Sequence, residues 1–191
     1  MPRIQLDHIA IAMPRMADAP AFLVGVLGGV PYFGQGGAVF RFGQWRFEGG
    51  GRIEILEPVG ENGFLHRFLA ARGPGIHHVT FKVPSLRDAC DRAEGAGYTI
   101  VGYNDASPHW KEAFLHPRQA LGVVVQLAET SFRGEPRRAW AAPPPGPENP
   151  PSPVRLLGLR TRVASRERAR AQWEGVLHGR PEETPGRGLI Y

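Results

Sequence analysis
The sequence predicts an α+β fold: two paired β-α-β-β-β modules forming a curved mixed sheet around a central cavity, with a partial third module at the C-terminus. Three observations predict it. Leu6–Pro14 (LDHIAIAMP) returns 70 residues later as Ile76–Pro84 (IHHVTFKVP). Arg52–Glu57 (RIEILE) returns 72 residues later as Val124–Glu129 (VVQLAE). The strand-like and helix-like segments that follow each echo come in the same order, and self-similarity at a fixed period outranks local propensity in deciding a fold.

The first module, residues 4–60, opens with an alternating strand over Ile4–Met13. Leu6, His8, Ala10 and Ala12 share one face of that strand, and Ile9 and Ile11 the other. A helix is expected next, capped by Asp18, with Phe22, Leu23, Val26 and Leu27 at helical spacing before Gly28-Gly29. Strands follow at Pro31–Phe33, at Ala38–Phe42 with Trp45–Phe47, and at Arg52–Leu56, divided by glycine clusters such as Gly49-Gly50-Gly51. Glu61–Arg72 carries Phe64, Leu65, Phe68 and Leu69 on one stripe and reads as a connecting helix ending at Gly73.

The second module, residues 75–130, repeats this order. Its strand Ile76–Val83 is followed by helix Leu86–Ala96 and strands near Tyr98–Tyr103, Glu112–His116 and Val123–Ala128. Residues 1–132 thus form one domain. Residues 133–153 hold eight prolines between Pro136 and Pro153 and read as a stiff, extended linker. Residues 154–191 restart the module, with a strand over Val154–Val163 and a helix over Ser165–Val176; Gln172–Gly179 (QWEGVLHG) echoes Phe22–Gly29 (FLVGVLGG). Gly158 stands at the position of His8, so this piece offers no equivalent ligand, and a lone strand and helix need a surface to dock on.

Composition narrows the function. No run of 18 apolar residues exists, so no membrane span is expected, and the default is a cytoplasmic protein. The single Cys90 rules out an internal disulfide and a multi-cysteine metal cluster, and reads as a buried structural thiol. Net charge is +5, but residues 1–132 carry 12 Lys and Arg against 12 Asp and Glu, while residues 133–191 carry 11 against 6. A neutral body with a basic tail lacking interleaved aromatics argues against a nucleic-acid partner.

The two echoes superimpose His8 on His78 and Glu54 on Gln126. Each module therefore offers one imidazole and one oxygen donor on rigid strands, a mixed nitrogen and oxygen set suited to Zn, Co, Ni, Mn or Fe. An ion with open positions polarises a carbonyl and stabilises an enolate. His77 should face away from His78 and reads as structural, and Glu57 and Glu129 read as solvated strand ends. Lys111 and His109, in the polar loop of the second module, are the candidates for binding an anionic part of a substrate. His116 reads as part of a turn.

Five stretches carry a family resemblance: Leu6–Ala12 (LDHIAIA), Ile53–Pro58 (IEILEP), Gly75–Phe81 (GIHHVTF), Phe114–Pro117 (FLHP) and Gly122–Leu127 (GVVVQL). In order and spacing they resemble the vicinal oxygen chelate superfamily, the glyoxalase and bleomycin-resistance fold, and within it the methylmalonyl-CoA epimerases. The resemblance implies paired modules closing around a metal, usually in a homodimer, with His8, Glu54, His78 and Gln126 at the metal-ligand positions. In a centre acting on a small molecule, Glu54 is expected either to ligate the ion or to move the proton. Relative to the epimerase pattern, the amide and carboxylate at positions 54 and 126 are exchanged. The further glutamate on the second strand of the first module has no counterpart near Ala38–Phe40. The expected activity is a metal-dependent isomerase or lyase working next to a carbonyl through a metal-stabilised enolate. A non-catalytic binding or resistance protein of the same fold is the alternative, and an Fe(II) dioxygenase using His8, His78 and Glu54 the third reading.

Overall fold
A computed structural model describes residues 3–131, 143–184 and 188–191. Residues group into two units. The first-module unit comprises Asp7–Val79 with the described part of 133–159; the second-module unit comprises the residues before Asp7, Thr80 to the end of the second module, and the tail from Arg160.

The first-module unit contains β1 (Gln5–Ala12, from Asp7), a 3-10 turn at Met16–Asp18, α1 (Pro20–Leu23), β2 (Val30–Gly36), β3 (Phe40–Arg46), β4 (Arg52–Pro58) and α2 (Phe64–Arg72). It closes with the first part of β5 (Gly75–Lys82), and its strands lie in the order β2-β3-β4-β1-β5. β1 runs parallel to β4 with Ala10 beside Glu54, and β3 runs antiparallel to β4 with Gln44 beside Glu54. Gly49 and Gly50 take positive φ of 74° and 85° and so make the β3–β4 turn that sets this register. Pro31, which has no N–H to donate, lies on edge strand β2 beside a bulge.

Period-two alternation divides this unit's side chains into two layers. Met16, Leu23, Val24, Trp45, Phe47 and Ile55 form one buried cluster. Ala10, Ala12, Leu56 and Leu65 form another, flanked by Phe40, Phe42 and Phe68. The aromatic side chains divide between the two: Trp45 and Phe47 belong to the first cluster, while Phe40 and Phe42 alternate with them onto the face of Glu54.

The helix expected before Gly28 is shorter than its apolar pattern. Only Pro20–Leu23 is α-helical, because Gly25 and Leu27 donate to carbonyls five residues back and widen the coil. Asp18 caps nothing; its carboxylate pairs with Arg15. Leu23 and Val24 are buried, and Phe22 and Val26 are exposed.

The second-module unit contains the rest of β5, α3 (Leu86–Gly95), β6 (Ile100–Asn104), β7 (Lys111–Leu115) and β8 (Val124–Glu129), with the order β5-β8-β7-β6. Ser85 caps α3 by accepting from the Asp88 N–H at 3.2 Å, and Leu86, Ala89, Cys90 and Ala93 are its buried stripe. The Cys90 thiol is buried, and burial is the main reason its pKa is pushed up to about 11. The tail adds α4 (Arg166–Arg170), capped by Ser165, then a π-helical turn at Ala171–Val176 that contacts α3. Beyond it β9 (Glu182–Thr184) and β10 (Gly188–Ile190) pair antiparallel.

One brace occurs in both units. In the first, Glu57 accepts from the Met16 N–H at 2.9 Å and from Arg41 at 2.7 and 2.9 Å. In the second, Glu129 accepts from the Leu86 N–H at 2.8 Å and from Lys111 at 2.7 Å. The two glutamates expected to be solvated strand ends are instead ties between the last strand of each module and the start of its first helical segment. Their carboxyls sit below the usual range: burial opposes this at Glu57 but Arg41 and the Met16 amide outweigh it, while the Leu86 amide and Lys111 lower Glu129.

The strand expected over Val154–Val163 does not form. Val154 donates its N–H to the Leu27 carbonyl and accepts from the Glu48 N–H, Arg155 makes a single parallel bridge to Glu48, and Leu156 packs against the first-module core. Leu157 is 90% exposed, because beyond that bridge the segment has no paired strand among the described residues. The proline-rich residues from Pro143 lie on the same unit: Pro151 and Ser152 cross over Gly28 and Gly146 sits on Val24, each so close that a Cβ would fall 2.3 Å from its neighbour. No helix among the described residues is long and apolar enough to cross a membrane.

Candidate metal centre
Three strands of the first-module unit deliver the centre. β1 supplies His8, β4 Glu54 and β5 His78, all buried. His8 Nε2 lies 3.6 Å and His78 Nε2 3.8 Å from the same oxygen, Glu54 Oε1. One donor atom from each of the three lies within 4.8 Å of the others. Two imidazoles converging on one carboxylate oxygen, out of water, fit a divalent ion taking mixed nitrogen and oxygen ligands.

Each donor is oriented from behind. His8 Nδ1 is 2.8 Å from Asp7 Oδ2, which leaves Nε2 to face Glu54. Asp7 in turn accepts from Arg52. Gln44 Nε2 donates to Glu54 Oε2 at 2.8 Å, so Oε1 is the oxygen that faces the imidazoles. His78 Nδ1 is 3.0 Å from His77 Nδ1, and the His77 ring stands between Phe64 and Phe68 at centroid distances of 5.4 and 5.0 Å. His77, expected to be purely structural, thus also steadies His78.

Charge divides the two histidines. Burial lowers the pKa of His8, but the Glu54 charge and the hydrogen bond that His8 donates to Asp7 outweigh it, leaving it raised to about 9. His78 has no carboxylate behind it, and burial takes it down to about 3. Glu54 is held below its ordinary range, since burial is outweighed first by His8. Near neutral pH these directions make Glu54 a carboxylate, His8 an imidazolium and His78 a neutral imidazole.

The other expected site residues lie in the second-module unit. Gln126 on β8 accepts from Thr80 Oγ1 and donates to Glu112 Oε2 at 2.7 Å; Glu112 also accepts from Trp110 Nε1 at 2.8 Å. Lys111 is engaged by Glu129 as Arg41 is by Glu57, so the module brace accounts for it. His109 lies in the 105–110 loop, its carbonyl accepting from Thr130. His116 Nδ1 accepts from the Arg118 N–H, as its turn position implies. Sequence reasoning missed Gln44, Asp7 and Arg52. Asp7 had a visible signal, since it precedes His8 as His77 precedes His78; Gln44 becomes visible only through the β3–β4 register.

Comparison with known proteins follows the same lines. The family model of the glyoxalase/bleomycin resistance protein/dioxygenase superfamily matches residues 7–114. The ethylmalonyl-CoA/methylmalonyl-CoA epimerase of Cereibacter sphaeroides is 31% identical over 132 residues, covering 65% of this chain and 97% of that protein. The human mitochondrial methylmalonyl-CoA epimerase is 29% identical over 133 residues, 65% of this chain and 73% of its own. Among solved structures, methylmalonyl-CoA epimerase from Mycobacterium tuberculosis superimposes with a TM-score of 0.60 at 26% identity, over 66% of this chain and 88% of that one. A hypothetical protein from Bacillus halodurans gives a TM-score of 0.64 at 28% identity, over 71% and 100%.

Proposed function
The chain belongs to the glyoxalase/bleomycin resistance protein/dioxygenase superfamily, and on that premise we propose that it is a metal-dependent isomerase or lyase acting on a carbon next to a carbonyl. The observation that carries this reading is the convergence of His8 and His78 on Glu54 Oε1. Relatives named as methylmalonyl-CoA and ethylmalonyl-CoA epimerases support a thioester substrate whose acidic C–H lies between two carbonyl groups.

His8, His78 and Glu54 would hold the ion, and the repeat of Glu54 in Gln126 nominates the amide as a further donor. A divalent ion bound there supplies Lewis acidity toward the substrate's carbonyl oxygen. The chain's own part is to move the proton. Glu54, ionised and with Oε2 held by Gln44, is the proposed acceptor when the carbon–hydrogen bond breaks, a role it fills only where it leaves the ion. Buried His8 and His78 keep water from competing for that carboxylate.

The test is proton exchange in D2O. Chain loaded with Co(II), Ni(II), Zn(II) or Mn(II) should exchange the C2 proton of methylmalonyl-CoA or ethylmalonyl-CoA, followed by proton NMR, and chelator should abolish it. Ion uptake without exchange into any such thioester favours the non-catalytic binding protein. Absence of ion uptake overturns the metal reading. The two-histidine, one-carboxylate set also suits Fe(II) oxygenation; oxygen consumption with Fe(II) and a phenolic or keto-acid substrate, in place of proton exchange, distinguishes it.

A further inference from the structure
We propose that Arg52 is the positioning residue of this centre: one guanidinium holds Asp7 and Gln44, and through them sets the orientation of His8 and Glu54. The inference rests on the reading of the triad as a metal centre.

The connections form a fork. Arg52 Nη2 donates to Asp7 Oδ1, and the other Asp7 oxygen meets His8 Nδ1. Arg52 Nη1 donates to Gln44 Oε1 at 3.4 Å, which turns the Gln44 amide so that its Nε2 faces Glu54 Oε2. A reversed amide would set oxygen against carboxylate. The guanidinium carbon lies 5.6 Å from the Tyr32 ring centroid, and Arg46 lies 5.3 Å from the same ring. Tyr32 therefore helps to hold the plane of the fork. Two of three donors thus depend on one planar group whose side chain is 17% exposed.

The chemistry calls for arginine. A guanidinium presents donors in a fixed fork that reaches two acceptors at once, whereas an ammonium is a single point. Partners behind metal-ligating groups set ring orientation and ligand strength, and their loss costs about 10- to 100-fold in metal affinity. The repeat has no second copy of this device. Val124 stands at the position of Arg52 and His77 at that of Asp7, so the support falls on the half that carries the carboxylate ligand.

The test uses the full chain with Co(II) as probe, read by calorimetric titration and by the visible ligand-field spectrum. Arg52→Met is expected to weaken Co(II) binding about 10- to 100-fold and to change the spectrum. Arg52→Lys should recover part of the affinity, because it can hold Asp7 but not both partners. Asp7→Asn should cost less in the Arg52→Met background than in the wild type. Arg41→Met, which breaks the Glu57 brace, should leave Co(II) affinity and spectrum unchanged. Circular dichroism of each ion-free variant checks folding, and Arg52→Lys carries the test if Arg52→Met does not fold. Wild-type affinity and spectrum in the Arg52 variants would overturn this inference and leave the centre standing. A wild-type chain that takes up no Co(II) overturns both.

Discussion
At the scale of residues, the centre depends on three side chains with unlike charge. Glu54→Gln keeps shape and volume but removes the charge that both imidazoles face. The expected outcome is a fall of about 10²- to 10⁴-fold in C2 proton exchange, the usual worth of a positioned acid or base. NMR in D2O with saturating ion measures it. His8→Ala removes a donor, so the thermal stabilisation that an ion gives should vanish. At an ion concentration of 100 times its Kd that stabilisation is about 2.7 kcal/mol in the wild type, and calorimetric unfolding with and without ion reads the loss. The identities of these residues were legible from the repeat alone. Their support was not, because the contacts of Arg52 with Asp7 and of Gln44 with Glu54 join residues 45 and 10 positions apart.

At the scale of elements, the brace shows what pattern reading leaves out. Glu57 and Glu129 end strands where a charged residue is ordinarily solvated, yet each ties a strand to the first turn after its module's opening strand. Because both carboxyls sit below their ordinary range in the folded chain, they contribute stability above the unfolded-state pKa of about 4.3. That contribution is lost as pH falls through the folded-state values. Glu57→Gln should therefore lower stability by about 1 kcal/mol at pH 7, and the difference from wild type should shrink toward pH 3. Urea unfolding at a series of pH values measures it, and a constant difference across that range would refute the assignment. The short α1 and the absent strand at Val154–Val163 have a related cause. Apolar spacing permits a helix or a strand, but hydrogen bonds to carbonyls five residues back, and the presence or absence of a neighbouring strand, decide whether one forms.

At the scale of the whole molecule, the proline-rich segment acts as part of the first-module unit from Pro143 onward. Gly146→Ala would place a Cβ 2.3 Å from the Val24 side chain, and Gly28→Ala would do the same against Pro151 at a φ of 67°. Each should release this segment, and limited proteolysis between residues 143 and 156 should speed up by about 10-fold, the effect of roughly 1.4 kcal/mol on local opening. Unchanged cleavage would show that the segment's docking does not depend on these close approaches.

The sequence by itself determined the two modules, the period-two faces that put His8 with Ala10 and Ala12, and the family. These are properties of spacing and residue type, and the chain carries both locally. Only the tertiary structure decided that Glu54 gathers both imidazoles, that Arg52 stands behind the centre, that Glu57 and Lys111 serve braces, and that the third echo begins without a strand. Each of those depends on strand register and on which distant groups share a buried, low-dielectric space, where an unpaired polar atom is costly and partners are therefore chosen across the chain.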